Sequence, residues 1–503
     1  MRAKKTRTAA TAPLKSPPPP DRRPSSFALR LEALGSSPLA FLLASIALLI
    51  PCFWQSRIQA GDLSSHIYNA WLAQLIQSGK TTGLAVVGQS TNILADLILS
   101  ALLRALGPSA AQRITVSAAV LIFGWGAFAF ITRVSVRRPW SLFPVIVFLA
   151  YGFTFQMGFL NFYLSLGLCF WALAAAWDFT PLGLATAAAL LALAYTAHGL
   201  GVLWAAALLV YVWIARRLSD RARPRLAAAC LAGIVLFRLI LNSTTATMWV
   251  PLQLFNWTAA DQAWVFDDKY IAPMVGMMLL WAVLWASLVR RQGARSLVQS
   301  VPVHLCVLTS AGILILPSAI AIPGYNHSLS FIANRMSLAL GICFCAVLAA
   351  GRIPKVARVL AIAAPLLYFG MLYRDDAIVN SVEDRVTAAV APLRGKRVVL
   401  GFDDLSPQVR PFTHIIDRAC VGVCYSYANY EPSTAQFRVR ALAPNPFVAA
   451  TYLDAWTLQN GGYVVRPADV PIYRLDFAPD GRVVAREVPA GATLTIASLD
   501  LLN

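Results

Sequence analysis

Long apolar runs, broken at intervals by short clusters of Lys and Arg, dominate this chain. They lie at 38–54, 112–132, 141–156, 159–177, 182–197, 199–215, 225–242, 271–289, 301–322, 332–350 and 357–373. A run of about 20 apolar residues crosses a bilayer as a helix, because a helix satisfies its backbone N–H and C=O groups internally where no water can. The expected fold is therefore mainly α: a polytopic helical membrane protein of about eleven transmembrane helices. Composition agrees, with 58% hydrophobic and only 13% charged residues. A soluble domain carries roughly 25% charge.

The net charge of +19 raises nucleic acid as a partner, but the placement of the charge excludes it. Lys and Arg cluster between apolar runs, as in cytoplasmic loops, with no long basic helix and no aromatic-interleaved basic patch. Residues 1–36, with KKTR and KSPPPPDRRP, read as a disordered basic cytoplasmic tail. The run at 38–54 reads as a retained helix, not a cleaved signal. Ile58-Gln59-Ala60 puts a bulky residue where a cleavage site needs a small one.

The basic clusters then set the topology. Arg133/Arg137/Arg138, Arg216–Arg225, Arg290/Arg291/Arg295 and Arg352/Lys355/Arg358 all fall on the tail's side if 90–107 does not cross. That segment, with Asn92, Asp96 and Arg104, is expected to be interfacial or half-buried. The reading is a transmembrane domain over 37–373, with a first outer loop at 55–111, and an extracytoplasmic α/β domain over 374–503. Strand-like runs KRVVLGF and GGYVVRP alternate there with turn residues. The membrane is expected to be the inner (plasma) membrane of a bacterium.

Six of the eight cysteines lie in apolar runs, where Cys acts as a small hydrophobe. Cys420 and Cys424 lie in the polar part, either as a tight disulfide or as two thiols in a buried strand. An oxidising compartment favours the disulfide.

The first outer loop holds the densest chemistry. Asp62, His66 and Asn69 are spaced i, i+4, i+7 and share one face of a helix. A carboxylate at the bilayer edge beside a His is placed to act as a general base. Equally, Asp62 is placed to cap the helix beginning at Leu63. Other outer-side polar residues are Gln156 and Asn161 around FQMGFLNF, His198 in TAHGLG, Asp261, Asp267, Asp268 and Lys269, and Tyr325, Asn326, His327, Asn334 and Arg335. Trp249, Trp257 and Trp264 read first as interfacial anchors. Arg238 and Arg335 stand on the outer side, against the charge bias; each either snorkels to headgroups or binds a phosphate with its planar fork.

This loop resembles that of the GT-C superfamily of polytopic glycosyltransferases, which use lipid-phosphate-linked sugars. Asp62 matches the acidic residue soon after the first transmembrane helix, Gly79 the turn, and Leu102-Leu103-Arg104-Ala105-Leu106-Gly107 the close before the next span. The detailed likeness covers 38–135 and the rest matches in architecture. It implies transfer of a sugar from a polyprenyl-phosphate donor to an envelope glycan, lipid or protein acceptor, with inversion. Asp62 would be the base and His66 its helper, with Asn69, Asp96, Asn161, His327 and Arg335 around the substrate. Many members carry paired acids, whereas Asp62 precedes Leu63-Ser64-Ser65, so no paired-acid motif stands ready for a divalent metal, and no other cofactor is implied. Two other classes remain: a transporter or flippase of an amphiphilic solute, against which no matched broken helices occur, and a non-catalytic scaffold for the C-terminal part.

Overall fold

The computed structural model describes residues 37–351 and 353–502; the tail 1–36 and Arg352 of the last basic cluster lie outside the described residues. The chain divides at Ile46, inside the first helix, and the larger unit, Ala47–Asn503, is mainly helical. Four helices are long and apolar enough to cross a membrane: Pro108–Ser135, Arg223–Thr244, Asp268–Gln292 and Lys355–Val390. Shorter apolar helices cover Pro38–Phe53, Trp140–Gln156, Leu160–Ala176, Pro181–Ala197, Gly199–Ala215, Val301–Ile315 and Ile332–Leu348. Helices Pro108–Ser135 and Leu160–Ala176 pack closely, since a Cβ on Gly126 would sit 2.6 Å from the Gly167 carbonyl oxygen. Small residues at such crossings let backbones approach without a hydrophobic drive between helices.

Three runs end differently from the hydropathy pattern. The run at 141–156 breaks at Tyr151-Gly152 and resumes as Phe153–Gln156. The run at 301–322 stops as a helix at Ile315. There the Gln253 amide donates to the carbonyls of Ile313 and Leu316 at 2.6 and 2.9 Å, serving groups a helix end leaves open. The chain then pairs Ala319–Ile320 with Thr247–Met248. The last run does not stop near Tyr373; its helix continues to Val390, so the boundary drawn at 373 falls mid-helix.

Segment 90–107 forms the helix Leu94–Leu106 of 13 residues. At 1.5 Å per residue it is about 20 Å long, short of the roughly 30 Å hydrocarbon core.

Beyond Val390 a four-stranded sheet runs Tyr425–Ser426, Arg397–Leu400, Ile472–Phe477, Val483–Val488, the first three parallel and the last antiparallel. KRVVLGF supplies its central strand. GGYVVRP supplies only an isolated bridge from Val464 to Thr493. The Sγ atoms of Cys420 and Cys424 lie at disulfide distance, with Cα atoms 4.6 Å apart. Segment 55–111 joins this region directly, because Leu84–Val86 pairs antiparallel with Val439–Ala441.

One buried ion pair fastens these parts together. Arg418 donates to both Glu383 oxygens (2.7 and 2.5 Å), to Ile58 O (2.9 Å), to Gln112 Oε1 (2.8 Å) and to Gln59 Oε1 (3.1 Å). Glu383 is fully buried. Losing one partner strands the other charge without solvent, which costs about 3–5 kcal/mol. Arg418→Met should therefore lower the melting temperature of the protein in nanodiscs, and adding Glu383→Leu should restore much of the loss. Additive losses in the double variant would show that the pair is not the fastening.

Candidate functional site

Helix Leu63–Gln77 begins directly after Asp62, at the N-cap position. The capping role expected of its carboxylate is not filled: the side chain makes no capping hydrogen bond. Its position is fixed by the backbone, since the Asp62 N–H donates to Met157 O at 3.1 Å. Two glycines make that approach possible. A Cβ on Gly158 would collide with the Asp62 nitrogen, and one on Gly61 would lie 2.5 Å from Met157 O. The FQMGFLNF turn thus serves as the seat of Asp62.

A cavity of about 560 Å³ opens beside this carboxylate. It brings together five of the seven residues given a site role from sequence, Asp62, His66, Asn161, His327 and Arg335, with His198 and Tyr325 beside them. Asp96 and Asn69 do not line it. Asp96 sits behind His66 and accepts from His66 Nδ1 and from Asn161 Nδ2, both at 2.8 Å. Asn161 in turn accepts the Ala95 N–H at 2.8 Å, supplying a cap to helix Leu94–Leu106 from another element. Asn69 is buried in the seam with the C-terminal part, donating to Ser65 and Asn429.

The electrostatics around His66 fit a helper to Asp62 and not a base. Burial works against its charged form, but Asp96, then Glu431 and Asp62, outweigh it and raise the pKa to about 10. It stands as an imidazolium at neutral pH and cannot accept a proton. Asp96 is itself driven up by burial, but His66, Asn161 and Arg438 leave it lowered overall. Glu431 accepts from Ser65 Oγ at 2.8 Å and is raised to about 7, chiefly by burial.

Arg335 faces the cavity with its guanidinium 3.9 Å from the centroid of the Phe159 ring. Its Nε is buried without a hydrogen-bond partner, and no ion pair to it occurs among the described residues. Its Nη1 lies 3.2 Å from His198 Nε2. His198 caps helix Gly199–Ala215 by accepting the Leu200 N–H at Nδ1. A neutral imidazole accepts at one nitrogen only, so His198 serves either the Leu200 N–H or Arg335 Nη1, and in both tautomers Arg335 Nε is left without a partner. The cavity thus holds a cation short of acceptors. Arg410, also on its wall, is served by Asp403 and Asn460, each at 2.7 Å.

Sequence reasoning missed the opposite wall. His414 places Nε2 3.4 Å from Asp62 Oδ1 while its Nδ1 meets Asp417 Oδ2 at 2.8 Å. Asp417 also accepts from Ser426 Oγ. Burial opposes the charged form of His414, but Asp417, then Asp62 and Glu431, raise its pKa above the usual range. Tyr430, Phe437, Tyr452, Trp456 and Gln459 complete that wall. Of these wall residues, Tyr430 and Phe437 fall in the aromatic-rich stretch 417–441, whereas His414, Tyr452, Trp456 and Gln459 carry no local signal.

No family model, curated protein or solved structure matches this chain.

Several other polar residues singled out from sequence are engaged away from the cavity or lie outside it. Asp261 accepts from Ser337 Oγ at 2.6 Å. Lys269 bridges Asp267 and Asp375 at 2.7 and 3.0 Å. Arg238 lies on Arg223–Thr244, a helix almost entirely unburied within the chain. No group of three or more His, Cys, Asp or Glu placed to hold a metal ion occurs among the described residues.

Glu431 gives this site a pH signature. Its folded pKa of about 7 lies above its ordinary 4.5, so the folded chain binds a proton that the unfolded chain has released. That contribution is complete at low pH and is lost as pH rises through about 7. The melting temperature should fall between about pH 5 and 7, and Glu431→Gln should remove part of that fall, the remainder belonging to Asp261, also raised to about 7, and above pH 6.5 to His66. An unchanged slope in the variant would assign the titration elsewhere.

Proposed function

We propose that this chain is a membrane glycosyltransferase of the GT-C type. In this reading it moves a sugar from a polyprenyl-phosphate donor to an acceptor at the outer face of a bacterial inner membrane. The observation that carries the reading is a single cavity pairing a carboxylate that makes no capping bond, Asp62, with an arginine whose Nε has no partner and which has no ion pair among the described residues, Arg335. An acceptor hydroxyl attacks the anomeric carbon and gives its proton to Asp62. The bond from that carbon to the phosphate oxygen breaks, and the leaving lipid phosphate gains charge that Arg335 neutralises with a two-donor fork. His66, held as a cation, orients the site and adds to the field; it is not the base.

The topology proposed is about eleven spans, with a cytoplasmic tail and the C-terminal part outside. The bond from Asp62 N–H to Met157 O supports it. Between those residues lie the apolar helices Pro108–Ser135 and Trp140–Gln156. Two crossings return the chain to the same side; a third, by Leu94–Leu106, would separate the bonded groups by a bilayer. His414 beside Asp62 argues likewise for the C-terminal part. Reporter fusions should read cytoplasmic after Arg138 and extracytoplasmic after Gly395. The same side for both would overturn this topology.

Asp62→Asn tests the chemistry. Asn keeps the size, and no capping bond is lost because none is made, so folding should survive. Loss of a general base typically slows a reaction about a hundred- to ten-thousandfold. Transfer activity, or the envelope-glycan phenotype of a null strain, at matched protein level is the readout, and full activity would remove Asp62 from the mechanism. Arg335→Lys should also impair transfer, because an ammonium lacks the planar fork. Unchanged activity in both Arg335→Lys and Arg335→Ala would return Arg335 to snorkelling.

A further inference from the structure

The C-terminal wall of the cavity carries a row of rings leading away from the Asp62 centre. His66 and Phe437 have ring centroids 6.5 Å apart, Phe437 and Tyr430 6.1 Å, Tyr430 and His327 6.2 Å, and His327 and Tyr452 5.3 Å. One turn further along helix Tyr452–Asn460 stands Trp456, 48% exposed yet on the cavity wall. Trp456 thus leaves about half of its surface free to meet a ligand at the end of the row.

Three glutamines flank the row, each tied down through its –NH₂ end. Gln89 donates to Gln436 O at 2.8 Å, Gln436 to His327 O at 3.1 Å, and Gln459 to Ala428 O at 3.0 Å. That anchoring turns their carbonyl oxygens into fixed acceptors, and Gln89 Oε1 is buried with no partner. Rings with flat apolar faces, set beside fixed acceptors, match a pyranose, which presents C–H faces and hydroxyl donors at its edge. A lipid chain would leave the amides unmet. A phosphate would want a cation without a carboxylate partner, but Arg335 is not in this row and the His66 that opens it is already met by Asp96.

We propose that this wall is a saccharide track and that the acceptor is a glycan, entering past Trp456 with its terminal hydroxyl delivered to Asp62. This rests on the transferase reading but is tested by binding alone. The full chain in nanodiscs is exposed to a printed array of neutral oligosaccharides of about one to six sugars, without donor. Wild type and Asp62→Asn should both retain saccharide. Trp456→Ala and Tyr452→Ala should each weaken retention by about tenfold, the usual scale for truncating an aromatic anchor, and Trp456→Phe should recover part. Size-exclusion profiles monitor folding, which the exposed Trp456 is not needed for. An array left bare by wild type, or alanine variants that bind as wild type does, overturns the track. Saccharide retained only when linked to polyprenyl phosphate makes the row a donor site and overturns the acceptor assignment. Asp62→Asn that transfers normally while binding still depends on Trp456 would instead fault the transferase reading and leave the track standing.

Discussion

The geometry around Asp62 depends on the charge pair between Arg418 and Glu383. Arg418 reaches Ile58 O and Gln59 in the loop just before Asp62, Gln112 on helix Pro108–Ser135, and Glu383 on helix Lys355–Val390. Arg418 also lies on the short helix Ile415–Cys420, directly after His414. One side chain therefore ties both walls of the cavity to the same frame. The pair is tolerable in a buried setting because every donor of the guanidinium finds an acceptor, the condition under which a buried charge is sustained. Once that frame is set, the glycine contact between Gly158 and the Asp62 backbone leaves the carboxylate few positions to occupy.

Charge is arranged in two different ways within the cavity. Around His66 it is over-compensated: Asp96, Glu431 and Asp62 all act on one imidazole, which stays protonated far above neutrality. At Arg335 it is under-compensated, with an aromatic face on one side and a capped histidine on the other. A cation without acceptors inside a protein is costly unless something arrives to meet it. Arg410, also on the cavity wall, has buried nitrogens without hydrogen-bond partners too, but its charge is already met by the Asp403 carboxylate, which makes it a poorer candidate for an anion site.

Much of this was legible in the sequence. Hydropathy located the apolar helices, because length and composition alone set that signal. The i, i+4 pairing of Asp62 and His66 placed both on the cavity, and the charge-bias argument singled out Arg335. The features hidden from sequence have a common physical cause: contacts made across long sequence separations. His414 and Tyr430 have no local pattern that points to Asp62, and Arg418 is unremarkable as part of DRACVGVC. Asn161 looked like a substrate ligand and lines the cavity, but its bonds go to Ala95 and Asp96. The end of the last apolar run misled for a different reason: a helix need not stop where its apolar stretch does, and Lys355–Val390 continues past Tyr373 with Asp375, Asp376, Asn380 and Glu383 among its buried residues.

The account stands or falls on what Arg335 meets when substrate is present. A cryo-EM structure of the full chain in nanodiscs supplied with polyprenyl phosphate would read it directly. The account predicts phosphate density within hydrogen-bond distance of the Arg335 guanidinium, in the cavity that Asp62 lines. Phosphate seated elsewhere, with Arg335 turned to the bilayer headgroups, would contradict it.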